Sequence, residues 1–464
     1  MANILIKDGY IITVDMQRHI FKKGAVLIRD NKIAAVGKTE EVQKLDKMDI
    51  VIDARNKIVM PGLIDTHVHL AQAMIRGCAD DVSLITWLKD RVWVLQGNYT
   101  AEDGKTSAEL CILEMLKTGT TTFLEVMIAG RYGFNGIAEV VKKSGIRAGL
   151  SKIVMDSTGY ADAEDIMYSG MVEERDATIK EALEMHKKWN GAANGRIQVW
   201  FGPRSPGAVT PELYREIRRL ADEHNMRITY HLGEVKDDIK ALKKYYNKGL
   251  TEFAEWVGML GPDVVIAHGV WMNDEDIKRL AKTGTHISHN PSSNLKLASG
   301  FAPIPEMLDA GVNVALGCDG GPSNNSYDMI REMKLAAIIH KARLLNPEVM
   351  PAETVIEMAT INGAKAMGLE NEVGSLEVGK KADIIIIDTN SPHMTPSTNP
   401  VSNLVYAAHG YDVETVIIDG EIIVENRKVL TMDETRILKD AIKHAEKVYD
   451  RAKITINPRW PVIS

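Results

Sequence analysis

The middle of the chain alternates short apolar runs with longer segments of helical periodicity. Eight runs are predicted to be buried strands, because each is rich in aliphatic and β-branched residues and precedes a helix-like stretch of about 10 to 20 residues. In chain order these strands are 62–69, 120–126, 147–154, 196–202, 227–232, 264–268, 286–289 and 312–318. The repeat is typical of a parallel sheet, and eight units predict a (β/α)8 TIM barrel of the α/β class. A doubly wound open sheet is the alternative.

Both ends of the chain have a different pattern, in which short apolar runs alternate with turn residues. Strands are predicted at 4–6, 10–14, 24–29 and 32–36, and again at 382–388 and 413–424. Asp8-Gly9 and Asp30-Asn31 are predicted to form turns. We expect the two β-rich ends to fold together into one small β-sandwich domain.

The patterns predict four segments. Residues 1–58 and 369–432 form the two parts of the β-domain, residues 59–368 form the barrel, and residues 433–464 form a C-terminal helix and tail.

Composition narrows the class of partner. The 464 residues carry a net charge of −7, and no long basic block is present that would favour nucleic acid or an anionic membrane. A small-molecule substrate is therefore expected, and a homo-oligomer is compatible with the sequence. The chain has neither the layout of a signal peptide at its start nor a run of about 18 apolar residues, so we expect a cytoplasmic protein. Its three cysteines are widely spaced, so any metal must be held by His and carboxylate groups.

Polar side chains with metal-binding chemistry follow four of the predicted strands. His67 and His69 end the first strand, His231 the fifth, His268 the sixth and Asp319 the eighth. The C-terminal ends of barrel strands meet at one mouth, where the active sites of this fold lie. Imidazole and carboxylate ligands suit zinc or ferrous iron. The sequence therefore predicts one divalent metal ion, Zn²⁺ with Fe²⁺ as the alternative.

The same segments supply groups for hydrolysis. Water bound to such an ion has its pKa lowered from about 16 to about 7, which makes hydroxide available at neutral pH. Glu234 follows His231 beyond a glycine and is the candidate for moving a proton from water to substrate. Asp319 is expected both to ligate the metal and to orient the hydroxide. His268 is either a further ligand or a donor to the developing charge, and His289, at the end of the seventh strand, either faces the pocket or is structural.

Five motifs together resemble those of the amidohydrolase superfamily. They are Pro61-Gly-Leu-Ile-Asp-Thr-His-Val-His69, His231-Leu-Gly-Glu234, Ala267-His268, Ser288-His-Asn-Pro-Ser-Ser-Asn-Leu-Lys-Leu-Ala-Ser-Gly300 and Leu316-Gly-Cys-Asp-Gly320. The chain is similar to the branch containing methylthioadenosine/S-adenosylhomocysteine deaminase, guanine deaminase and the s-triazine hydrolases (atrazine chlorohydrolase and melamine deaminase). The resemblance covers nearly the whole chain, including the split β-domain and the tail at 457–460.

The resemblance assigns roles to these residues. It implies that His67, His69, His231 and Asp319 ligate one divalent metal ion and that Glu234 and His268 are catalytic. It also implies hydrolytic removal of a substituent, usually an amino group, from a nitrogen heteroaromatic ring.

Two positions depart from the nucleoside-type members of that branch. Gln96 stands where a glutamate usually holds ribose hydroxyls, and Arg204 stands where a histidine is usual. By resemblance to guanine deaminases, Arg204 is expected to donate two hydrogen bonds to a ring carbonyl, and Gln72 is a candidate to bind an adjacent ring nitrogen. Trp87 is a candidate to stack on the ring. The alternatives are a structural ion pair for Arg204 and a core position for Trp87.

These observations predict a metal-dependent hydrolytic deaminase, a hydrolase acting on carbon–nitrogen bonds of cyclic amidines. The leading substrates are free amino-substituted rings such as guanine, a pterin or an aminotriazine. The alternative is an adenine nucleoside such as methylthioadenosine or S-adenosylhomocysteine, and a further alternative is an s-triazine chlorohydrolase. A barrel that only binds or assembles is disfavoured, because every predicted ligand and the proton shuttle are present.

Overall fold

A computed structural model describes residues 3–161, 163–457 and 459–463, so Pro458 of the tail motif at 457–460 lies outside the described residues. Its strands form two nine-stranded sheets. The strands are β1 (Ile4–Ile12), β2 (Ile20–Arg29), β3 (Lys32–Lys38), β4 (Ile50–Asp53), β5 (Lys57–Pro61), β6 (Leu63–His69), β7 (Thr120–Ile128), β8 (Arg147–Val154), β9 (Ile197–Pro203), β10 (Ile228–Leu232), β11 (Val264–His268), β12 (His286–His289), β13 (Val314–Leu316), β14 (Asp319–Gly320), β15 (Ile384–Asp388), β16 (Val413–Ile418), β17 (Glu421–Glu425) and β18 (Lys428–Val429).

One sheet is a ring of parallel strands. Its order runs β13-β12-β11-β10-β9-β8-β7-β6-β14. The eighth barrel strand consists of two pieces, β13 and β14. The ring is closed because β13 pairs with β12 and β14 pairs with β6. Every residue of β6 and β8 is buried, as expected for strands covered on both faces. The predicted (β/α)8 TIM barrel is confirmed.

The eighth strand breaks at Gly317, whereas the sequence predicted one continuous strand over 312–318. A Cβ atom at Gly317 would lie 2.5 Å from Asn290 Oδ1 and 2.7 Å from the Cβ of His67. Glycine therefore allows the backbone to approach the first and seventh strands closely. The chain resumes pairing at Asp319, which places that carboxylate beside the end of β6.

The described α-helices comprise those that alternate with the barrel strands, a short helix that packs on β2 and β3 of the second sheet, and later helices that include the C-terminal one. They are α1 (Thr39–Val42), α2 (Leu84–Trp87), α3 (Trp93–Gln96), α4 (Ala101–Lys117), α5 (Phe134–Ser144), α6 (Arg175–Trp189), α7 (Pro211–His224), α8 (Lys236–Tyr246), α9 (Leu250–Trp256), α10 (Asp274–Thr283), α11 (Pro291–Lys296), α12 (Ile304–Asp309), α13 (Gly321–Asn324), α14 (Met329–Leu344), α15 (Ala352–Met358), α16 (Ile361–Ala366), α17 (Pro400–Tyr406) and α18 (Glu434–Ala452). None of the described helices is both long enough and apolar enough to span a bilayer.

The second sheet contains strands from both chain ends, as predicted. Its order is β18-β17-β16-β15-β5-β1-β2-β3, with β4 also paired to β1. The antiparallel pair of β15 and β5 joins the two ends, with Ile384 opposite Pro61. Strand β5 therefore continues past residue 58, where the sequence placed the domain boundary. Aliphatic side chains from both ends, such as Ile6 and Ile386, share one buried cluster.

Asp8-Gly9 lies inside β1 and does not form the predicted turn. Asp8 adopts a φ of 62°, and the pairing with β2 shifts register on both sides of Gly9. The two residues form an irregularity in one long strand, because a positive φ in a strand bends the backbone without ending its pairing.

The C-terminal helix α18 begins at Glu434, where the sequence predicted it. The Asp433 side chain accepts a hydrogen bond from the Arg436 amide and caps the first turn. The helix contacts α4 through His444, whose Nδ1 lies 2.6 Å from Asp103 Oδ1, and through an ion pair between Arg451 and the same Asp103.

Candidate active site

Four imidazole rings and one carboxylate meet at the C-terminal ends of the barrel strands. His67 and His69 lie at the end of β6, His231 in β10, His268 at the end of β11, and Asp319 at the start of β14. Centroids of contacting rings are 4.8 to 5.4 Å apart. The structure therefore brings together the side chains that the sequence singled out.

This donor set fits a divalent metal ion. The candidate ligand atoms of His67, His69 and His231 lie within 4.8 Å of one another, as do those of His67, His268 and Asp319. Both ring nitrogens of His67 and Nδ1 of His231 are buried without a hydrogen-bond partner among the described residues. Buried polar atoms without partners are costly, and a bound metal ion would satisfy such nitrogens.

Protonation states support the same interpretation. Burial lowers the pKa of His67, lowers that of His69 to about 3, and holds that of His231 well below its usual range. These rings are therefore neutral and keep a lone pair for a metal. Burial alone would raise the pKa of Asp319, but the close contacts of its Oδ1 with His67 Nε2 at 3.5 Å and with His69 Nε2 at 3.3 Å outweigh that effect. The pKa of Asp319 consequently lies well below its usual range, so the group is a carboxylate.

His268 differs from the other three rings because it faces two acids. Its Nε2 lies 3.9 Å from Glu234 Oε2, and its Nδ1 lies 2.9 Å from Asn294 Oδ1. Burial lowers the pKa of His268, but the negative charges of Glu234 and Asp319 outweigh burial and raise it overall. This favours a protonated ring that donates hydrogen bonds.

Glu234 is a buried acid on the cavity wall. Its backbone amide donates to Asp238 Oδ2 at 3.1 Å, which fixes the turn that begins at Gly233 with a φ of 67°. Burial raises the pKa of the Glu234 carboxyl above its usual range. A carboxyl with a raised pKa is suited to taking up a proton and releasing it again near neutral pH.

Two site residues hold an unusual backbone conformation. His268 has a φ of 74° and Asp319 a φ of 67°, in the left-handed region that non-glycine residues rarely adopt. Such conformations cost about 1 to 3 kcal/mol each and persist where the surrounding contacts enforce them. The contacts that hold the backbone of His268 and Asp319 in this conformation are therefore needed to form the site.

A cavity opens from this cluster toward the barrel mouth. Including its opening it measures about 660 Å³, within the range of small-molecule sites. Besides the predicted site residues other than His67 and His289, its wall is formed by Leu84, Leu88, Trp93, Gln96, Met127, Tyr132, Ile153, Tyr160, Met171, Ser205 and Leu297. The wall is largely aromatic and aliphatic, which suits a flat heteroaromatic ring.

Arg204 lies on the cavity wall and is 5% exposed. Its guanidinium carbon is 5.2 Å from the centroid of the Trp93 ring, and among the described residues its side chain forms no ion pair. The carboxylate that acts on its pKa, Glu173, is already paired with Lys152 at 2.6 Å. The structural ion pair considered for Arg204 is not found there, and its donors remain available to a ligand.

Gln72 and Trp87 also line the cavity. Gln72 Oε1 and Trp87 Nε1 are buried without a hydrogen-bond partner in the described part of the chain. A Cβ atom at position 320 would lie 1.8 Å from Gln72 Oε1, so Gly320 leaves the room that this side chain occupies. Both side chains therefore hold an unpaired, buried polar atom next to the cavity.

His289 lies away from the cavity wall. It is fully buried at the end of β12, and its Nε2 lies 3.3 Å from Nε2 of His340. Burial and the nearby His340 hold the pKa of His289 well below its usual range. The structure thus places this ring behind the site, whereas it brings the other predicted residues together.

Sequence reasoning missed several side chains that complete the site. Tyr132 and Tyr160 line the cavity from the loops after β7 and β8, and no local motif marks either loop. Ser293 Oγ donates to Asp319 Oδ2 at 2.5 Å. Ser293 and Asn294 belong to the motif quoted above at 288–300, so that motif was the available signal.

Comparisons with known proteins identify the family to which the chain is similar. A family model described as the amidohydrolase family matches residues 58–423. The chain is 41% identical to a 5′-deoxyadenosine deaminase of Methanobrevibacter smithii over 97% of this chain and 99% of the relative. It is 43% identical to a 5-methylthioadenosine/S-adenosylhomocysteine deaminase of Thermococcus onnurineus over 92% of this chain and 95% of the relative.

A solved structure shares the fold. The crystal structure of an adenosine deaminase from Xanthomonas campestris with bound zinc has a TM-score of 0.89 to this chain. The two are 28% identical, and the match covers 97% of this chain and 99% of the other.

Proposed function

Because the chain belongs to the amidohydrolase family and is a hydrolase of carbon–nitrogen bonds, we propose that it deaminates an adenine nucleoside with a modified 5′ position. 5′-Deoxyadenosine and 5′-methylthioadenosine represent this class. The relatives named above act on such nucleosides and match the chain almost from end to end. They favour the alternative from the sequence over its leading substrates, the free rings guanine, pterin and aminotriazine.

The observation that carries the proposal is that three of the proposed metal ligands, His69, His231 and Asp319, line one cavity together with Glu234 and His268, while His67 contacts the same cluster. A divalent ion, zinc or iron, held by His67, His69, His231 and Asp319 would supply an activated water and polarise the ring. The donor types match those that zinc prefers.

Glu234 is proposed to move the proton. Water adds its oxygen to the ring carbon that bears the amino group, and Glu234 takes the proton that the water loses. Glu234 then gives that proton to the leaving amine, so that a carbon–oxygen bond forms, a carbon–nitrogen bond breaks and ammonia leaves. The raised pKa of Glu234 supports this exchange. His268, as a cation, stabilises negative charge that develops on the oxygen.

The remaining wall residues are proposed to orient the substrate. Trp87 stacks on the ring, and the unpaired donors of Arg204 bind an acceptor on the ring edge. Gln72 accepts a hydrogen bond from a neighbouring ring atom through its unpartnered Oε1. Gln96 binds the ribose hydroxyls, because an amide both donates and accepts hydrogen bonds.

The unpaired state of Arg204 also favours a second candidate, a free base with a ring carbonyl such as guanine or a pterin. An s-triazine chlorohydrolase remains the third candidate from the sequence. The cytoplasmic location, the oligomeric state and a substrate role for His289 stay predictions.

The three candidates are separated by one assay. Zinc-loaded and iron-loaded protein is incubated with 5′-deoxyadenosine, 5′-methylthioadenosine, S-adenosylhomocysteine, guanine, a pterin, melamine and a chlorotriazine, and the release of ammonia and chloride is measured. We expect ammonia from the nucleosides and little from the free rings. Turnover confined to guanine or the pterin would replace the proposal by the second candidate, and chloride release alone by the third.

A further inference from the structure

Glu332 in α14 is a buried carboxyl group without an opposite charge. It is 1% exposed, and among the described residues no cationic side chain lies within ion-pair distance. Burial raises the pKa of Glu332 to about 7 despite the hydrogen bonds that it accepts. Burying such a group is costly, so its contacts require an explanation.

Three neutral donors surround this carboxylate. The Ser292 amide donates to Oε2 at 3.2 Å, and the Ser292 hydroxyl donates to Oε1 at 2.5 Å. The Asn324 amide group donates to Oε1 at 2.9 Å. Because Ser292 lies in α11 and Asn324 in α13, Glu332 connects three separate segments of the chain.

The helix α11 carries the partners of two site residues. Directly after Ser292, the Ser293 hydroxyl donates to Asp319 Oδ2 at 2.5 Å. The next residue, Asn294, places Oδ1 at 2.9 Å from Nδ1 of His268. A shift of this short helix would therefore disturb both Asp319 and His268.

The other segment, α13, forms a hydrogen bond with the backbone just before Asp319. The Asn324 side chain also donates to the carbonyl oxygen of Cys318 at 2.8 Å. Asp319 follows directly and holds its φ of 67°. The two segments that hold Asp319 are therefore both hydrogen-bonded to the Glu332 carboxylate.

We propose that Glu332 is a positioning residue, which clamps α11 and α13 so that Asp319 faces the metal site and His268 faces Glu234. The inference rests on the metal site proposed above. Glu332 itself contacts neither the metal ligands nor the cavity. Only a carboxylate accepts from all three donors at once, because the amide of a glutamine would turn a donor toward one of them.

The test compares E332Q with K334Q, a change at an exposed position of the same helix. Zinc affinity is measured by competition with a chelator, after thermal unfolding shows that each variant is folded. We expect E332Q to bind zinc about 10- to 100-fold more weakly, as is usual when a group that orients a metal ligand is lost. In steady-state assays its kcat should fall with little change in KM, whereas K334Q should match the wild type in both.

A second variant keeps the inference testable if E332Q does not fold. S292A removes one donor and leaves the Ser292 backbone amide, so its loss of zinc affinity should have the same direction and be smaller. A folded E332Q or S292A with zinc affinity within about two-fold of wild type would overturn the inference. If the wild type binds zinc tightly but deaminates no substrate, the proposed function fails while the zinc measurement still tests Glu332.

Discussion

His268 and His289 both end barrel strands and both are buried, yet their surroundings give them opposite properties. His268 faces the carboxylates of Glu234 and Asp319, which raise its pKa, whereas His289 faces His340, and burial keeps its pKa low. The sequence predicted the strand-end position of each histidine. It could not show the contact with His340, because that residue lies 51 positions away in the chain.

Replacing Arg204 by Gln should separate binding from stability. The substitution removes a buried cation without an acidic partner, so thermal stability should stay the same or increase. Loss of charged hydrogen bonds to the substrate should lower kcat/KM by about 10- to 100-fold. Melting temperature and steady-state kinetics of Arg204→Gln check both effects. A lower melting temperature with unchanged kcat/KM would show that Arg204 stabilises the fold and does not bind the substrate.

Elements of the barrel follow closely from the apolar pattern, but their ends depend on contacts between strands. The sequence predicted a strand at 62–69, and the structure has Leu63–His69. The break at Gly317 could not be predicted, since it arises from the close approach of Asn290 and His67. The short α11 also carries no periodic signal, and its role follows only from its contacts with Asp319 and His268.

The end of β7 provides a prediction about pH. Glu125 accepts hydrogen bonds from the amides of Leu70 at 2.5 Å and Met127 at 3.0 Å, and burial raises its pKa to about 7. Below about pH 4.5 the carboxyl is neutral in both folded and unfolded chains. As pH rises to about 7, the unfolded chain releases this proton first, so stability is lost over that range, by up to about 3 kcal/mol.

This effect is measured against Glu125→Gln, which cannot titrate. The free energy of unfolding in urea is determined for both proteins at several pH values between about 4.5 and 7.5. We expect the wild type to lose stability relative to the variant as pH rises. Parallel curves would show that folding does not raise the pKa of Glu125.

At the scale of the whole molecule, the barrel and the sheet from both chain ends could be predicted, but the substrate could not. The cavity wall is assembled from segments that follow several different strands, with Trp87, Tyr132, Tyr160 and Arg204 as examples. These segments lack a periodic spacing of apolar residues, so the sequence does not indicate how they pack against one another. The sequence argument from Gln96 and Arg204 therefore favoured free rings, whereas the relatives favour nucleosides.

We propose that this barrel replaces the amino group of an adenine nucleoside with oxygen from water. Zinc-loaded protein incubated with 5′-deoxyadenosine in ¹⁸O-labelled water, with mass spectrometry of the ring product and an ammonia assay, tests it most directly. We expect one labelled oxygen and one ammonia per turnover of the wild type, and neither from folded, zinc-loaded Glu234→Gln. An unchanged nucleoside after incubation with the zinc-loaded wild type, or equal turnover by Glu234→Gln, would contradict it.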